Sequence, residues 1–196
     1  MGNFLTDSFK YKILLASNSP RRKELLEMLN IDFKIVSGIE VDESYPQYLQ
    51  PEEVPSFLSR KKSEAYHSIL SENQMIVTAD TIVILDGEIL GKPTSTDNAK
   101  TMLRKLSGRT HKVVTGVTLS TLQKTFTFSI STAVEFAPLS DEVIDYYVDT
   151  FHPLDKAGAY GIQEWIGAVG IRGIHGSYYN VMGLPVHRLY NELLRF

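Results

Sequence analysis

Tyr11-Lys12-Ile13-Leu14-Leu15-Ala16-Ser17-Asn18-Ser19-Pro20-Arg21-Arg22-Lys23-Glu24-Leu25-Leu26-Glu27 is the stretch on which the reading of the fold turns. Tyr11 to Ala16 reads as a short buried strand. Ser19 is a good N-cap, and Pro20 suits a first helical position because the N–H it lacks would have no intrahelical partner there. A helix is therefore expected from Pro20 to near Asn30. Its first turn carries Arg21, Arg22 and Lys23, although the free N–H groups and the macrodipole at that end favour negative charge by about 0.3–1 kcal/mol per charge. A strand, a serine-rich turn and a cationic helix start together resemble a phosphate cradle. The alternative is that the arginines face solvent and pair with Glu24 or Glu27.

Outward from this unit the pattern alternates irregularly. Phe33 to Val36 gives a short strand, and Ser37 to Gln50 an acidic loop. A helix over about Pro51 to Leu70 places Val54, Phe57, Leu58, Ala65 and Ile69 near one face. Met75 to Ala79 and Thr81 to Leu85 are β-rich, and Asp86-Gly87 is a strong hairpin turn into Glu88-Ile89-Leu90. Ala99, Met102, Leu103 and Leu106 recur at helical spacing between Thr94 and the stop at Gly108. His111 to Ser120 and Thr125 to Phe136 are two further strands, expected to be antiparallel. Ser140 caps a helix that starts with Asp141 and Glu142 and runs to about Asp149. The segment from Ala157 to Gly176 is rich in glycine, with Ile174 to Tyr179 as a candidate strand. Pro185 opens a last helix with Val186, Leu189, Leu193 and Leu194 on its apolar face. The expected fold class is α/β, a mixed twisted sheet flanked by helices.

Composition narrows the function classes. A chain of 196 residues, 43% apolar and 22% charged, suits one domain, divided at most into two lobes around a cleft. A net charge of −3 argues against a nucleic-acid partner, and a small-molecule substrate is the better expectation. There is no cysteine, hence no disulfide, thiol nucleophile or thiolate metal site, which fits the cytoplasm. No signal peptide is expected at the N-terminus, and no apolar run is long enough to span a membrane. The turn after the first strand lacks G-x-G-x-x-G, and G-x-x-x-x-G-K-[ST] occurs nowhere, which removes the dinucleotide and P-loop readings.

Several residues carry candidate chemistry. Asp80 interrupts an apolar run, where a carboxylate needs a cation or a donor to offset its desolvation. It would bind a metal or take a proton from attacking water, or else cap a local turn. Lys92, just past the hairpin, and Lys62, amid Arg60-Lys61-Lys62, are cations suited to phosphate. The acidic loop Glu40-Val41-Asp42-Glu43 offers a second carboxylate for a divalent ion, with Glu43 the first choice. Ser17 suits hydrogen bonding to phosphate better than nucleophilic attack, since there is no G-x-S-x-G elbow. In Asp155-Lys156-Ala157-Gly158-Ala159-Tyr160-Gly161-Ile162-Gln163, the glycines let an amide approach a planar base. Gln163 both donates and accepts, as recognition of a pyrimidine edge requires. The dispersed histidines His67, His111, His152, His175 and His187 show no zinc-ligand spacing. Trp165, Tyr178 and Tyr179 would stack on a base or pack in the core.

Leu15-Ala16-Ser17-Asn18-Ser19-Pro20-Arg21-Arg22, Ala79-Asp80-Thr81 with Gly91-Lys92-Pro93, Leu106-Ser107-Gly108-Arg109-Thr110-His111, Lys156 to Gln163, and Gly176 to Pro185 occur in this order. Together they closely resemble the Maf family of nucleoside triphosphate pyrophosphatases. The resemblance implies an inosine-triphosphate-pyrophosphatase-like fold with a central cleft, a divalent cation such as Mg²⁺ or Mn²⁺, and a homodimer. It also implies Asp80 as proton acceptor and places Ser17, Lys62 and Lys92 at positions associated with phosphate binding, while Arg21 and Arg22 are expected at the substrate from the cationic helix start. Arg22, Thr81 and Gln163 match positions that set base preference and look like the branch acting on dTTP and UTP. Asp80 and Glu43 fall nearest the metal, with Glu40 or Asp42 as alternatives to Glu43. Two other functions remain open: a pyrophosphatase for modified or methylated nucleotides such as 7-methyl-GTP, and a non-enzymatic, nucleotide-sensing regulator of cell division.

Overall fold

The computed structural model describes residues 9–196, so the expectation that no signal peptide begins the chain falls partly outside the described residues. The strands, numbered in chain order as β1 (Lys12–Ala16), β2 (Phe33–Val36), β3 (Gln74–Leu85), β4 (Glu88–Leu90), β5 (Thr110–Ser120), β6 (Thr125–Phe136) and β7 (Ile171–His175), follow the order β2-β1-β3-β5-β6-β7, with β4 paired to β3, and helices connect them: a mixed α/β sheet. Pairing is parallel for β1–β2 and β1–β3 and antiparallel for β3–β4 and β6–β7. The chain divides into two compact units. One takes residues up to Asp80, Thr115–Ile130 and Gly183–Phe196; the other takes Thr81–Val114 and Ser131–Met182.

The first unit opens with β1 (Lys12–Ala16), α1 (Pro20–Glu27) and β2 (Phe33–Val36). Parallel strands joined by a crossover helix bury both faces, which is why Ile13 to Ala16 are all apolar and all buried. Leu14, Ala16, Tyr66, Leu70 and Ile76 form a core cluster under β1. α1 is shorter than expected. It stops at Glu27, and Asn30 then takes a left-handed backbone, with φ of 52°, that ends the helical path. Ser19 occupies the N-cap position without a side-chain bond to the helix; its own N–H instead donates to Ser17 Oγ at 3.2 Å.

The expected helix over Pro51 to Leu70 is three pieces. A 3₁₀ turn at Pro51–Glu53 leads into α2 (Val54–Ala65), and a second 3₁₀ turn follows at His67–Ile69. The tighter turns break the 3.6-residue phase, so Val54 and Leu58 are buried but Ile69 rotates outward; Phe57, at the edge of the apolar stripe, is also exposed. β3 (Gln74–Leu85) is one strand passing through Asp80 without interruption. The unit also holds the distal half of β5 (Thr110–Ser120), the proximal half of β6 (Thr125–Phe136) and α7 (Val186–Arg195). Four residues join β5 to β6, with Thr121 N–H donating to Lys124 O, and this tight reversal makes the pair a hairpin. In β5, Gly116 has no substitute: a Cβ there would lie 2.3 Å from the carbonyl carbon of Pro55. In α7, Val186, Leu189 and Leu193 are buried as expected, whereas Leu194, about 80° round the helix from Val186, is exposed.

In the second unit, Asp86 and Gly87 both have positive φ, as a two-residue hairpin between β3 and β4 (Glu88–Leu90) demands. α3 (Thr96–Leu106) is capped by Ser95, whose side chain accepts from Asn98 N–H. It packs on α4 (Asp141–Phe151), capped in the same way by Ser140. Lys100 bridges Asp145 and Asp149 across that contact, at 3.0 and 3.2 Å. A 3₁₀ turn at Pro153–Asp155 precedes the glycine-rich segment, which forms a second 3₁₀ turn at Ala157–Ala159, then α5 (Trp165–Gly170) and β7 (Ile171–His175), and is followed by α6 (Tyr178–Met182). The candidate strand at Ile174 to Tyr179 is thus displaced: the strand lies earlier and Tyr178 begins a helix. Gly176 marks the break, with φ of 132° and no room for a Cβ against Thr132. Among the described residues no helix is long and apolar enough to cross a membrane.

Candidate active site

In the first unit a buried pair of hydroxyls sets the register of a charged pair. Thr78 Oγ1 on β3 donates to Ser59 O on α2 at 2.6 Å, and Ser59 Oγ lies 3.0 Å from Thr118 Oγ1 on β5. Both Ser59 and Thr78 are fully buried. One helical turn beyond Ser59 is Lys62, and two strand residues beyond Thr78, on the same face, is Asp80. The clamp therefore delivers Lys62 Nζ to Asp80 Oδ1 at 2.6 Å. Lys62 also meets Glu43 Oε1 at 2.8 Å, so one ammonium joins the acidic loop to the strand. Asp80 is 8% exposed, so its carboxylate has the cation that its burial requires.

The acidic loop is sorted by adjacent lysines. Lys61 Nζ holds Asp42 at 3.0 Å, and Ser44 donates to Asp42 through both side chain and backbone. These bonds, Ser44 first and Lys61 after it, keep the Asp42 carboxyl well below the usual carboxylate range. Of Glu40, Asp42 and Glu43, it is Glu43 that shares a cation with Asp80.

The cations at the start of α1 have separate fates. Lys23 pairs with Glu27 at 3.5 Å in the open, whereas Arg22 Nε donates to Gly183 O at 2.9 Å. Burial lowers the Arg22 pKa from its ordinary value, opposed first by the negative charge of Asp80, while Arg21 lowers it further and Glu43 raises it. Arg22 and Asp80 thus act on one another electrostatically. α1 has no acidic residue in its first turn to neutralise these groups. Ser17 and Arg21 are half-buried at the same strand-to-helix turn. The first unit accordingly gathers Arg22, Glu43, Lys62 and Asp80 with the cationic turn of α1.

Thr81, Lys92 and Gln163 belong to the second unit. Thr81, next along β3 from Asp80, is half-buried; Lys92, two residues past β4, is exposed. Gln163 stands at the exposed corner of a four-residue turn closed by Glu164 N–H donating to Gly161 O at 3.0 Å. Beneath that turn is a charged network that the sequence did not disclose. Lys156, 8% exposed, meets Glu164 at 3.0 Å and Asp155 at 2.7 Å, and Tyr147 on α4 donates to Glu164. The available signal was a lysine within an alanine- and glycine-rich stretch, where its stem is easily buried.

The donor set suits a hard divalent cation. Two carboxylates, Asp80 and Glu43, converge on a single positive group, the Lys62 ammonium, so their oxygens already surround a place where positive charge is favoured. Among the described residues no three His, Cys, Asp or Glu side chains come together as a closed metal cage. Asp80 and Glu43 are the two carboxylates that could hold a divalent cation, an ion commonly bound by one or two carboxylates with the remaining positions taken by phosphate oxygens and water.

The family model described as Maf-like protein matches residues 12–196. A dTTP/UTP pyrophosphatase of Phocaeicola vulgatus is 56% identical over 184 residues, which cover 94% of this chain and 95% of that protein. One from Porphyromonas gingivalis is 57% identical over 189 residues, 95% of each chain. Another from Flavobacterium psychrophilum is 49% identical over 183 residues, 93% of each. The solved structure of a HAM1 protein from Coxiella burnetii aligns with 95% of this chain and 100% of its own, at 15% identity and a TM-score of 0.47.

Proposed function

The chain belongs to the Maf family, and from that premise we propose that it hydrolyses dTTP and UTP to the monophosphate and pyrophosphate. The observation that carries the reading is the Lys62 ammonium shared by Asp80 and Glu43, with Arg22 acting on both carboxylates. Phosphate oxygens compete for such cations by charge-assisted hydrogen bonds, and a carboxylate that gives up its cation is free to accept a proton or hold a metal.

Arg21, Arg22, Lys62 and Lys92 hold the triphosphate by charge-assisted hydrogen bonds, and Ser17 and the N–H groups at the start of α1 add donors. Asp80 accepts a proton from the attacking water. The water oxygen bonds to the α-phosphorus as the bond to the bridging α–β oxygen breaks, and pyrophosphate leaves with that electron pair. Asp80 and Glu43 would hold a divalent cation with the phosphates, and such an ion supplies charge neutralisation to the triphosphate when bound. Thr81 and Gln163, with Arg22, are assigned to recognition of the base, the role that the matched family positions imply. Preorganised positive charge carries most of the rate enhancement, as in other phosphoryl transfers. The cysteine-free composition fits action in the cytoplasm.

The test is a substrate panel: each common triphosphate and 7-methyl-GTP, with Mg²⁺ or Mn²⁺ and after chelation, scored for monophosphate and pyrophosphate. dTTP and UTP are expected to be preferred and chelation to stop turnover. Preference for 7-methyl-GTP would reassign the base, and binding without pyrophosphate release would make the chain a sensor. Asp80→Asn is expected to lower kcat by about 10²–10⁴ while nucleotide binding persists; an unchanged kcat removes Asp80 from the reaction.

A further inference from the structure

We infer that Tyr147, Lys156 and Glu164 are positioning residues that hold the turn carrying Gln163 and thereby set base selectivity. The inference rests on the proposed reading of Gln163 as the side chain that recognises the base.

Gln163 is exposed and sits at the third position of the turn Gly161-Ile162-Gln163-Glu164. An amide on an unsupported surface turn would adapt to several bases and discriminate among none, because selectivity needs donor and acceptor held in place before the ligand arrives. Here both ends of the turn are fastened to one atom. Gly161 N–H donates to the Tyr147 hydroxyl oxygen at 3.0 Å, and that hydroxyl donates to Glu164 Oε2. The other carboxylate oxygen, Glu164 Oε1, meets Lys156 Nζ at 3.0 Å. Tyr147 is fully buried, and Lys156 is 8% exposed. Burial, and after it the Glu164 carboxylate, raises the Tyr147 pKa, so the hydroxyl stays protonated and remains a donor throughout the physiological range.

Space at the turn is equally restricted. A Cβ on Gly161 would lie 2.9 Å from Glu164 Cδ and 3.0 Å from Gln163 Nε2, so the glutamine amide folds against the start of its own turn. Beyond the turn, Gly167 N–H donates to Glu164 O at 2.9 Å, and a Cβ on Gly167 would overlap Ile162 O. A buried ammonium and a shared carboxylate are a costly way to gain stability alone, since well-packed apolar side chains do as well. Their use beneath a recognition turn is accounted for by geometric definition.

The experiment compares kcat/KM for UTP and CTP in the wild type, Gln163→Ala, Tyr147→Phe and the double variant, with the melting temperature recorded for each. Tyr147→Phe keeps the ring and removes the shared hydroxyl; should it fail to fold, Glu164→Gln takes its place with the same readout. The UTP-to-CTP ratio is expected to fall about tenfold in Tyr147→Phe, the effect of one misaligned hydrogen bond. The double variant should fall no further than Gln163→Ala. A purely structural role would lower activity on both substrates equally and leave the ratio intact. If Gln163→Ala changes the ratio and Tyr147→Phe does not, the inference is overturned and the reading of Gln163 survives. An unchanged ratio in Gln163→Ala overturns that reading and this inference with it.

Discussion

Acidification should expose the cost of keeping His111 neutral. His111 is 2% exposed at the start of β5, with its ring 5.4 Å from those of Phe136 and Tyr160. Nε2 lies 2.7 Å from the Tyr160 hydroxyl, and Nδ1 has no protein partner among the described residues. Protonation would place a charge and a second N–H in that apolar site, and burial accordingly lowers the His111 pKa from 6.5 to about 4. Above pH 6.5 the imidazole is neutral whether the chain is folded or not. Below it the unfolded chain binds a proton that the folded chain refuses until about pH 4, so stability falls as pH falls across that window. The gap corresponds to about 3 kcal/mol, accumulating at up to about 1.4 kcal/mol per pH unit. The assay is denaturant unfolding of wild type and His111→Gln between pH 7.5 and 4.5, where subtraction cancels the titration of the carboxylates common to both. The stability advantage of wild type over the variant should shrink by 2–3 kcal/mol on acidification, on the order of the gap worked above. A difference that stays flat with pH refutes the account of His111 as a buried neutral group.

Gly116→Ala should lose about 1–3 kcal/mol or fail to fold, because the new methyl meets Pro55 and Ser56 backbone rather than a side chain that can move; chemical denaturation measures it, and wild-type stability would contradict the close approach. Lys62→Met should destabilise by about 1–3 kcal/mol, leaving two carboxylates without their shared ammonium, and should raise KM for the triphosphate. Melting and steady-state kinetics check the two effects, and a variant unchanged in both would remove Lys62 from the site.

Local rules made most of the secondary structure legible. The Asp86-Gly87 hairpin, the Ser95 and Ser140 caps and the Pro20 helix start each rest on residues within a few positions of one another, and each forms where its sequence signal lies. The misreadings occurred where a distant contact or a change of helical pitch decided the outcome. α2 passes into 3₁₀ turns, and the strand expected at Ile174 moved upstream because Gly176 lies against Thr132, more than forty residues earlier in the chain. Asp80 was conspicuous as a carboxylate in an apolar run, and Lys62 as one of several cations. That one lysine would hold Asp80 and Glu43 together was not readable, since nothing local distinguishes it from Lys61, which takes Asp42.

The amino-acid sequence by itself determined most of the elements, the α/β class, the family and the residue types available for phosphate and base, because periodicity, caps, turn chemistry and ordered motifs are properties of neighbours along the chain. Tertiary structure alone decided the partnerships: which lysine faces Asp80, which carbonyl holds Arg22, and that Tyr147, Lys156 and Glu164 lie under the Gln163 turn. The physical reason is that an ion pair or buried hydrogen bond depends on ångström distances between residues far apart in sequence. Those distances are set only when the hydroxyl clamp of Ser59 and Thr78, and the packing around it, bring helix and strand into one register.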